Sequence, residues 1–235
     1  ALSGKFGESL SEGRPSMEII LERFPATLQL GLAAFAFSVV LGVPLGILSA
    51  VKRGGPLDMI GKFVALIGQS APVFWLGLML MFFLSVQLEW LPPYGRQEKT
   101  SIILPGITLG WFYVAANLRL LRSAMLNVLD SEYVKLARAK GVSEKVVIWK
   151  HALRNALIPV LTFAGITLGG LVTGSLVVET VFAWPGLGQL AVKALIGVDY
   201  PLLQAVVVVF TLMYVVAALL VDIMYAYIDP RIRYA

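Results

Sequence analysis

The 235-residue chain has no cysteine, one histidine and only 14% charged residues. Each scarcity excludes something. Without cysteine there is no disulfide framework, no thiol nucleophile and no thiolate-bound metal. One histidine leaves almost no basis for a histidine metal site. The charged fraction is about half that of a soluble domain. With 58% of residues apolar, the chain is not disordered, and an ordinary soluble enzyme is a poor fit. The net charge of +5 would suit nucleic acid in a polar chain. In one this apolar it reflects basic loops on the cytoplasmic face of a membrane, and no nucleic-acid partner is implied.

Five stretches carry no Asp, Glu, Lys or Arg: Phe24–Val51, Phe63–Leu88, Thr100–Leu118, Asn155–Val178 and Tyr200–Val221. They are 28, 26, 19, 24 and 22 residues long. About 20 helical residues cross a hydrocarbon core about 30 Å thick. Each stretch reaches or nearly reaches that length. The expected fold is therefore an all-α integral membrane protein with five transmembrane helices.

Loop charges orient it. With the N-terminal segment outside, the inside loops hold 13 of the 19 basic residues and 6 of the 14 acidic ones. That bias puts the C-terminus in the cytoplasm. Ala1–Phe24 is amphipathic and lacks the basic-then-apolar order of a signal peptide. An upstream segment, one more membrane helix, is expected to be missing. The expected organisation is an external segment over 1–24, a transmembrane domain over 25–228 and a cytoplasmic tail over 229–235. Ser16–Phe24 reads as a short helix with Met17, Ile20, Leu21 and Phe24 on one face. Lys52–Pro56 reads as a tight turn and Trp90–Lys99 as a short outer loop.

The inside connection Asp130–Arg154 is the most informative segment. Ser131 is placed to cap a helix through Ala137, and Gly141 to end it in a left-handed position. Ser143 is placed to cap a second helix toward Asn155. Tyr133, Leu136, Ala137, Val146 and Val147 give an apolar surface amid six basic residues, Lys135, Arg138, Lys140, Lys145, Lys150 and Arg154. Three readings compete: a docking surface for a cytoplasmic partner, a patch for anionic membrane lipid, or plain packing under the membrane.

The residues here resemble a known family. Glu132–Gly141, with His151–Pro159 after it, is similar to the cytoplasmic signature loop of binding-protein-dependent ABC importer permeases, in the dipeptide/oligopeptide/nickel branch. Glu179-Thr180-Val181-Phe182-Ala183-Trp184-Pro185-Gly186-Leu187-Gly188 agrees, as do Asp199-Tyr200-Pro201, Asp229–Arg233, Pro25–Leu28 and Pro72–Gly77. The resemblance covers nearly the whole chain from about Phe6 onward. The general family loop reads Glu-Ala-Ala, three residues, Gly, nine residues, Ile-x-Leu-Pro. Only Ala137, Gly141 and Leu153 keep it here, which turns the expectation away from sugar or amino-acid cargo.

The resemblance implies a permease subunit, not itself an enzyme, that moves short peptides across a bacterial or archaeal cytoplasmic membrane by alternating access. Nickel or another small solute is the alternative cargo. Its implied partners are a second, homologous permease subunit, cytoplasmic ABC ATPase subunits and an extracytoplasmic solute-binding protein. ATP and magnesium would sit in the ATPases, with no cofactor in this chain. Glu132, Ala137, Arg138, Lys140, Gly141, Ser143 and Leu153 are the implied coupling residues, with Arg138 and Lys140 offered to acidic partner groups. Gln69, Ser70, Thr173, Ser175, Glu179 and Trp184 are candidates for the path or an outer gate. For Gln69, Ser70, Thr173 and Ser175 the alternative is that they bond neighbouring helices, and Glu179 is expected to be exposed where a span meets the outside.

No nucleotide or metal site is legible. Gly55–Phe63 departs from a phosphate loop, with five residues between its glycines and Phe63 at the magnesium-binding position. Asp58 there reads as a helix N-terminal charge. A secondary transporter or channel would need ionisable groups within the spans, and the five windows have none. Four glycine pairs, Gly42/Gly46, Gly106/Gly110, Gly165/Gly169 and Gly170/Gly174, fit close helix packing.

Overall fold

The computed structural model describes residues 6–228, apart from the side chains of residues 166, 168, 171–174, 221–222 and 224–228. The tail 229–235, the Thr173 and Asp222 side chains and the surroundings of Gly174 lie outside what is described. Most of the described residues are helical, and there is no named strand among them. One isolated antiparallel bridge joins Glu8 to Pro15.

Helix α1 runs over Ser16–Val51, 36 residues, or about 54 Å. The expected short helix at Ser16–Phe24 is therefore the first turns of α1 and not a separate element. Its buried face carries Ile19 and Ile20, whereas Leu21 is 61% exposed. Pro25 and Pro44 lie within α1 without ending it. Gly54, at φ +76°, turns the chain, and α2 follows over Pro56–Ser70.

The second expected span is broken. α3 begins after Pro72 and covers Val73–Leu80, followed by a π-helical stretch at Met81–Gln87. The axes on either side of the break differ by 111°. Proline has no N–H to continue α2, and it pushes the residue before it out of the helical region.

After the irregular stretch 88–98, a capping box between Glu98 and Ser101 opens a 3₁₀ turn. It leads into α4, Ile103–Leu129. The loop that follows holds α5, Glu132–Ala139, and α6, Glu144–Val146. A π turn at Val147–Ala152 joins α6 to α7, Leu153–Val181. α8, Leu187–Ile196, and α9, Tyr200–Ile228, complete the chain. Among the described residues three helices are individually long and apolar enough to cross a membrane: Ser16–Val51, Lys99–Leu129 and Tyr200–Leu220. Taken as one span, the bent pair would make a fourth. α7, with 29 residues, carries the remaining charge-free window.

The chain divides into two compact units, one from residues 6–36, 71–110 and 168–218, the other from 37–70, 111–167 and 219–228. In the first, Ile19 and Ile20 of α1 pack with Leu187 and Leu190 of α8 and with Leu202 and Val206 of α9. In the second, Ile47 and Ala50 meet Leu121, Met125, Ala156 and Val160. Small residues let these helices close up. A Cβ at Gly42 would lie 2.9 Å from that of Asn117, and one at Gly46 3.0 Å from that of Leu121. The Gly42/Gly46 pair is therefore a packing seam between α1 and α4. Gly68 does the same for α2, where an added Cβ would stand 2.6 Å from Ala115.

Candidate functional site

The loop between α4 and α7 is a braced pair of short limbs. Ser131 and Ser143 hold the N-cap positions with extended backbone, but neither side chain caps its helix. The Ser131 hydroxyl instead donates to the Val128 carbonyl at 2.5 Å. Gly141, at φ +78°, ends α5. Its N–H donates to the Arg138 carbonyl (2.9 Å), and the Val142 N–H donates to that of Ala137 (3.2 Å). This is the paired bonding of a Schellman turn, which a left-handed glycine permits.

The second expected helix, 144–154, is not a separate element. α6, the π turn and α7 follow one another without a break. Arg138, expected to face a partner, is used inside the loop. Its guanidinium reaches Glu144 at 2.7 Å and the Leu129 carbonyl at 3.3 Å. The guanidinium holds the Glu144 carboxyl below its ordinary range. Lys135 pairs with Glu132 at 2.8 Å. Asn155 donates to the Tyr133 hydroxyl at 2.8 Å, joining α5 to the start of α7. Lys140, Lys145 and Lys150 are exposed and make no ion pair among the described residues. Leu136 (56% exposed) and Trp149 (62%) stand among them, with Tyr133 and Val146 also open. Ala137 and Leu153 are half-buried. The outcome is a stiff limb pair that shows solvent an apolar patch with a cationic rim.

Each described candidate for the path or gate has its own surroundings. Ser70 is exposed, and Gln69 accepts a hydrogen bond from Arg119. Ser175 is buried. Glu179 and Trp184 lie close together, and both are buried. Glu179 is fully buried, contrary to the exposure expected from its place at a span end. Its Oε1 accepts from the Thr27 hydroxyl at 2.8 Å. Its Oε2 accepts from the backbone N–H of Gly188 (2.7 Å) and of Gln189 (3.1 Å). A carboxylate thus sits on the free amides that open α8, where helix geometry and dipole both favour a negative charge. The Leu187 N–H donates to Thr27 Oγ1 at 2.7 Å. The Trp184 indole N–H donates to the Ala26 carbonyl at 2.8 Å. Arg96 lies 5.7 Å over the Trp184 ring, within cation–π range.

Three further groups escaped the sequence reading. Thr27 stood only inside a quoted motif. Asp58 is no simple N-terminal charge. It is fully buried and accepts from Ser49 Oγ (2.7 Å), the Gly54 N–H (3.0 Å) and Arg122 Nε and Nη2 (2.7 and 3.1 Å). Lys62 Nζ stands 3.0 Å away. Asp199 receives Ser9 Oγ at 2.5 Å, Ser11 Oγ at 2.8 Å and the Ser11 N–H at 3.1 Å. It pins the segment before α1 to the corner between α8 and α9. Paired opposite charges just outside the windows were the one available signal for Asp58. For Thr27 and Asp199 no spacing rule existed.

Burial pushes the Asp199 carboxyl up, but the bonds from Ser9, Ser11 and Leu10 outweigh it and hold the group well below the carboxylate range. A depressed folded-state value means the tether is fully present above the unfolded value of about 4 and fades as pH falls below it. Protection of the Ser9–Glu12 amides relative to the unfolded chain should therefore stay high from pH 8 to pH 5. In Asp199→Asn it should be low throughout. Equal protection in the two proteins would remove the tether.

These features define a polytopic, all-helical membrane subunit with a braced surface loop. The family model described as binding-protein-dependent transport system inner membrane component matches residues 42–234, and the chain belongs to that family as a permease component of an ABC importer. It is 46% identical over 233 residues to the glutathione transport system permease protein GsiC of Pectobacterium atrosepticum, covering 99% of this chain and 76% of that protein. It is 40% identical over 260 residues to the dipeptide transport system permease protein DppB of Alkalihalophilus pseudofirmus, covering 99% and 78%. Among solved structures, an inward-facing MetNI methionine ABC transporter superposes with TM-score 0.76 at 23% identity, over 91% of this chain and 97% of that one. An amino acid ABC transporter with histidines gives 0.73 at 13%, over 90% and 94%. At those identities the structures speak for the fold alone.

Proposed function

We propose that this permease moves short peptides of the size of dipeptides or glutathione. The energy would come from ATP and magnesium bound by separate ATPase subunits docked on the 130–154 loop. A second, homologous permease subunit would complete the pathway, and an external binding protein would deliver the cargo. The loop and the C-terminus would then face the cytoplasm. The names carried by relatives above 40% identity support peptide over nickel as cargo. One observation carries the docking role: Leu136 and Trp149 are largely exposed on limbs that are otherwise braced by their own ion pairs and turns. An apolar surface held in a fixed shape with a charged rim is what a protein partner buries.

Leu136→Glu tests it. Leu136 is exposed, so the exchange leaves the fold intact and places a charge in the middle of the patch. Affinity capture of the tagged chain from native membranes in mild detergent should bring down an ATPase subunit. The variant should lose it at least tenfold, the size of one desolvated charge at an interface. Full retention by the variant would place docking elsewhere. Uptake into proteoliposomes holding the whole transporter, competed by dipeptides, glutathione or nickel, tests the cargo.

A further inference from the structure

Between α2, α4 and α7 lies a cleft of about 520 Å³ lined by Lys62, Gln69, Arg119, Arg122, Ser123 and Phe163. Three cations converge on it. Arg122 and Lys62 share the carboxylate of Asp58 behind the wall. Arg119 bonds only the neutral Gln69 side chain among the described residues. Three positive charges against one negative leave the cleft with a net charge of two. Arg122 is pinned by its two bonds to Asp58, while Lys62 is 58% exposed and free to swing toward a ligand. Ser123 adds a hydroxyl.

Depth decides what the cleft meets. The charge-free window Thr100–Leu118 has 19 residues, or about 28 Å of helix. That is close to the thickness of the hydrocarbon core. Arg119 and Arg122 therefore fall just past its edge, in the headgroup layer. Lys62 directly precedes the window that opens at Phe63, so it reaches the same layer from α2. Beside it Met59, Phe63 and Leu66 are each more than 60% exposed, an apolar face for acyl chains next to a cationic opening.

We propose that this cleft binds a phosphate group, and that the group belongs to an anionic membrane lipid. Guanidinium and ammonium donors match phosphate oxygens. A basic pocket between membrane helices at the headgroup level is a setting in which such lipids are held. The proposal concerns lipid and does not depend on which cargo is carried.

The test uses the whole transporter, purified in mild detergent and delipidated, with native mass spectrometry as the readout. Dioleoylphosphatidylglycerol, dioleoylphosphatidylcholine and inorganic phosphate are added in turn. Lys62→Gln with Arg119→Gln removes two cations and leaves the Arg122–Asp58 pair in place. Each cation near a headgroup contributes roughly a factor of five, so phosphatidylglycerol should bind about thirty-fold more weakly to the double variant. Lys99→Gln, on the stretch before α4, should bind as the native protein does. The charge-keeping pair Lys62→Arg with Arg119→Lys should retain the lipid, which separates lost charge from lost fold. If phosphatidylglycerol binding depends on the two cations and millimolar phosphate does not displace it, the lipid source stands. If inorganic phosphate alone shows that dependence, the cleft binds phosphate from solution and the lipid assignment falls. If neither ligand depends on the two cations, the site itself is overturned.

Discussion

Asp58→Ala will destabilise the protein by about 3 kcal/mol, the cost of leaving a buried charge without its partner. The lower end of the usual range applies because the Arg122 side chain is 22% exposed and keeps some solvent. For a chain of this size the unfolding midpoint of the detergent-solubilised protein should fall by roughly 6–12 °C. The loss has several parts. Ser49, the Gly54 N–H and Arg122 all surrender their acceptor, and three elements lose a common anchor: the end of α1, the turn after it and α4. The double variant Asp58→Ala with Arg122→Leu removes both charges and should recover part of the stability. A double-mutant cycle gives the coupling. A single variant that melts within a degree of the native protein would show that the network contributes nothing.

The second large effect is steric. Gly188→Ala would put a Cβ 2.5 Å from Leu176 Cα and 3.0 Å from Leu176 N. Both are backbone atoms that cannot swing aside, so the start of α8 has to move off α7. Overpacking of this kind costs about 3 kcal/mol. It also drags the Gly188 N–H away from Glu179. The carboxylate itself gives a graded control. Glu179→Gln can keep one oxygen on the two amides and turn its NH₂ to Thr27, for a loss of about 1 kcal/mol. Glu179→Ala strands all three donors in a buried site, for about 3 kcal/mol. Thermal midpoints of the three variants should rank Gln above Ala and Gly188→Ala. Equal midpoints for Gln and Ala would mean that Glu179 holds nothing in place.

Much of the architecture was legible in the residues, for identifiable reasons. Charge-free runs fix where helices cross, because a lone charge in hydrocarbon is costly. Four of the five windows lie wholly in helical segments, and the second is interrupted at Ala71–Pro72. Gly141 was legible because few residues tolerate a left-handed helix end. The Pro72 break was legible as a possibility but not in size, since a proline permits a bend of 111° without demanding it. Pro25 and Pro44 sit inside a helix that continues past them. What hid from the sequence were pairings set by tertiary contact. Glu179 is followed by a turn that brings α8 back over it, so a residue at a span end is buried. Arg138 meets Glu144 only because Gly141 folds one limb toward the other. Neither follows from spacing along the chain.

The Asp58 network also constrains chain length. Ser49 and Asp58 are nine residues apart, with the Lys52–Gly55 turn between them. One residue inserted into α2 between Pro56 and Asp58 would turn Asp58 by about 100° about the helix axis and aim it away from Arg122. Homologous permeases of differing length are therefore expected to place their extra residues outside this stretch. An epitope tag threaded between Ser49 and Asp58 should cost up to the roughly 3 kcal/mol expected of Asp58→Ala, even though the turn itself lies at the surface.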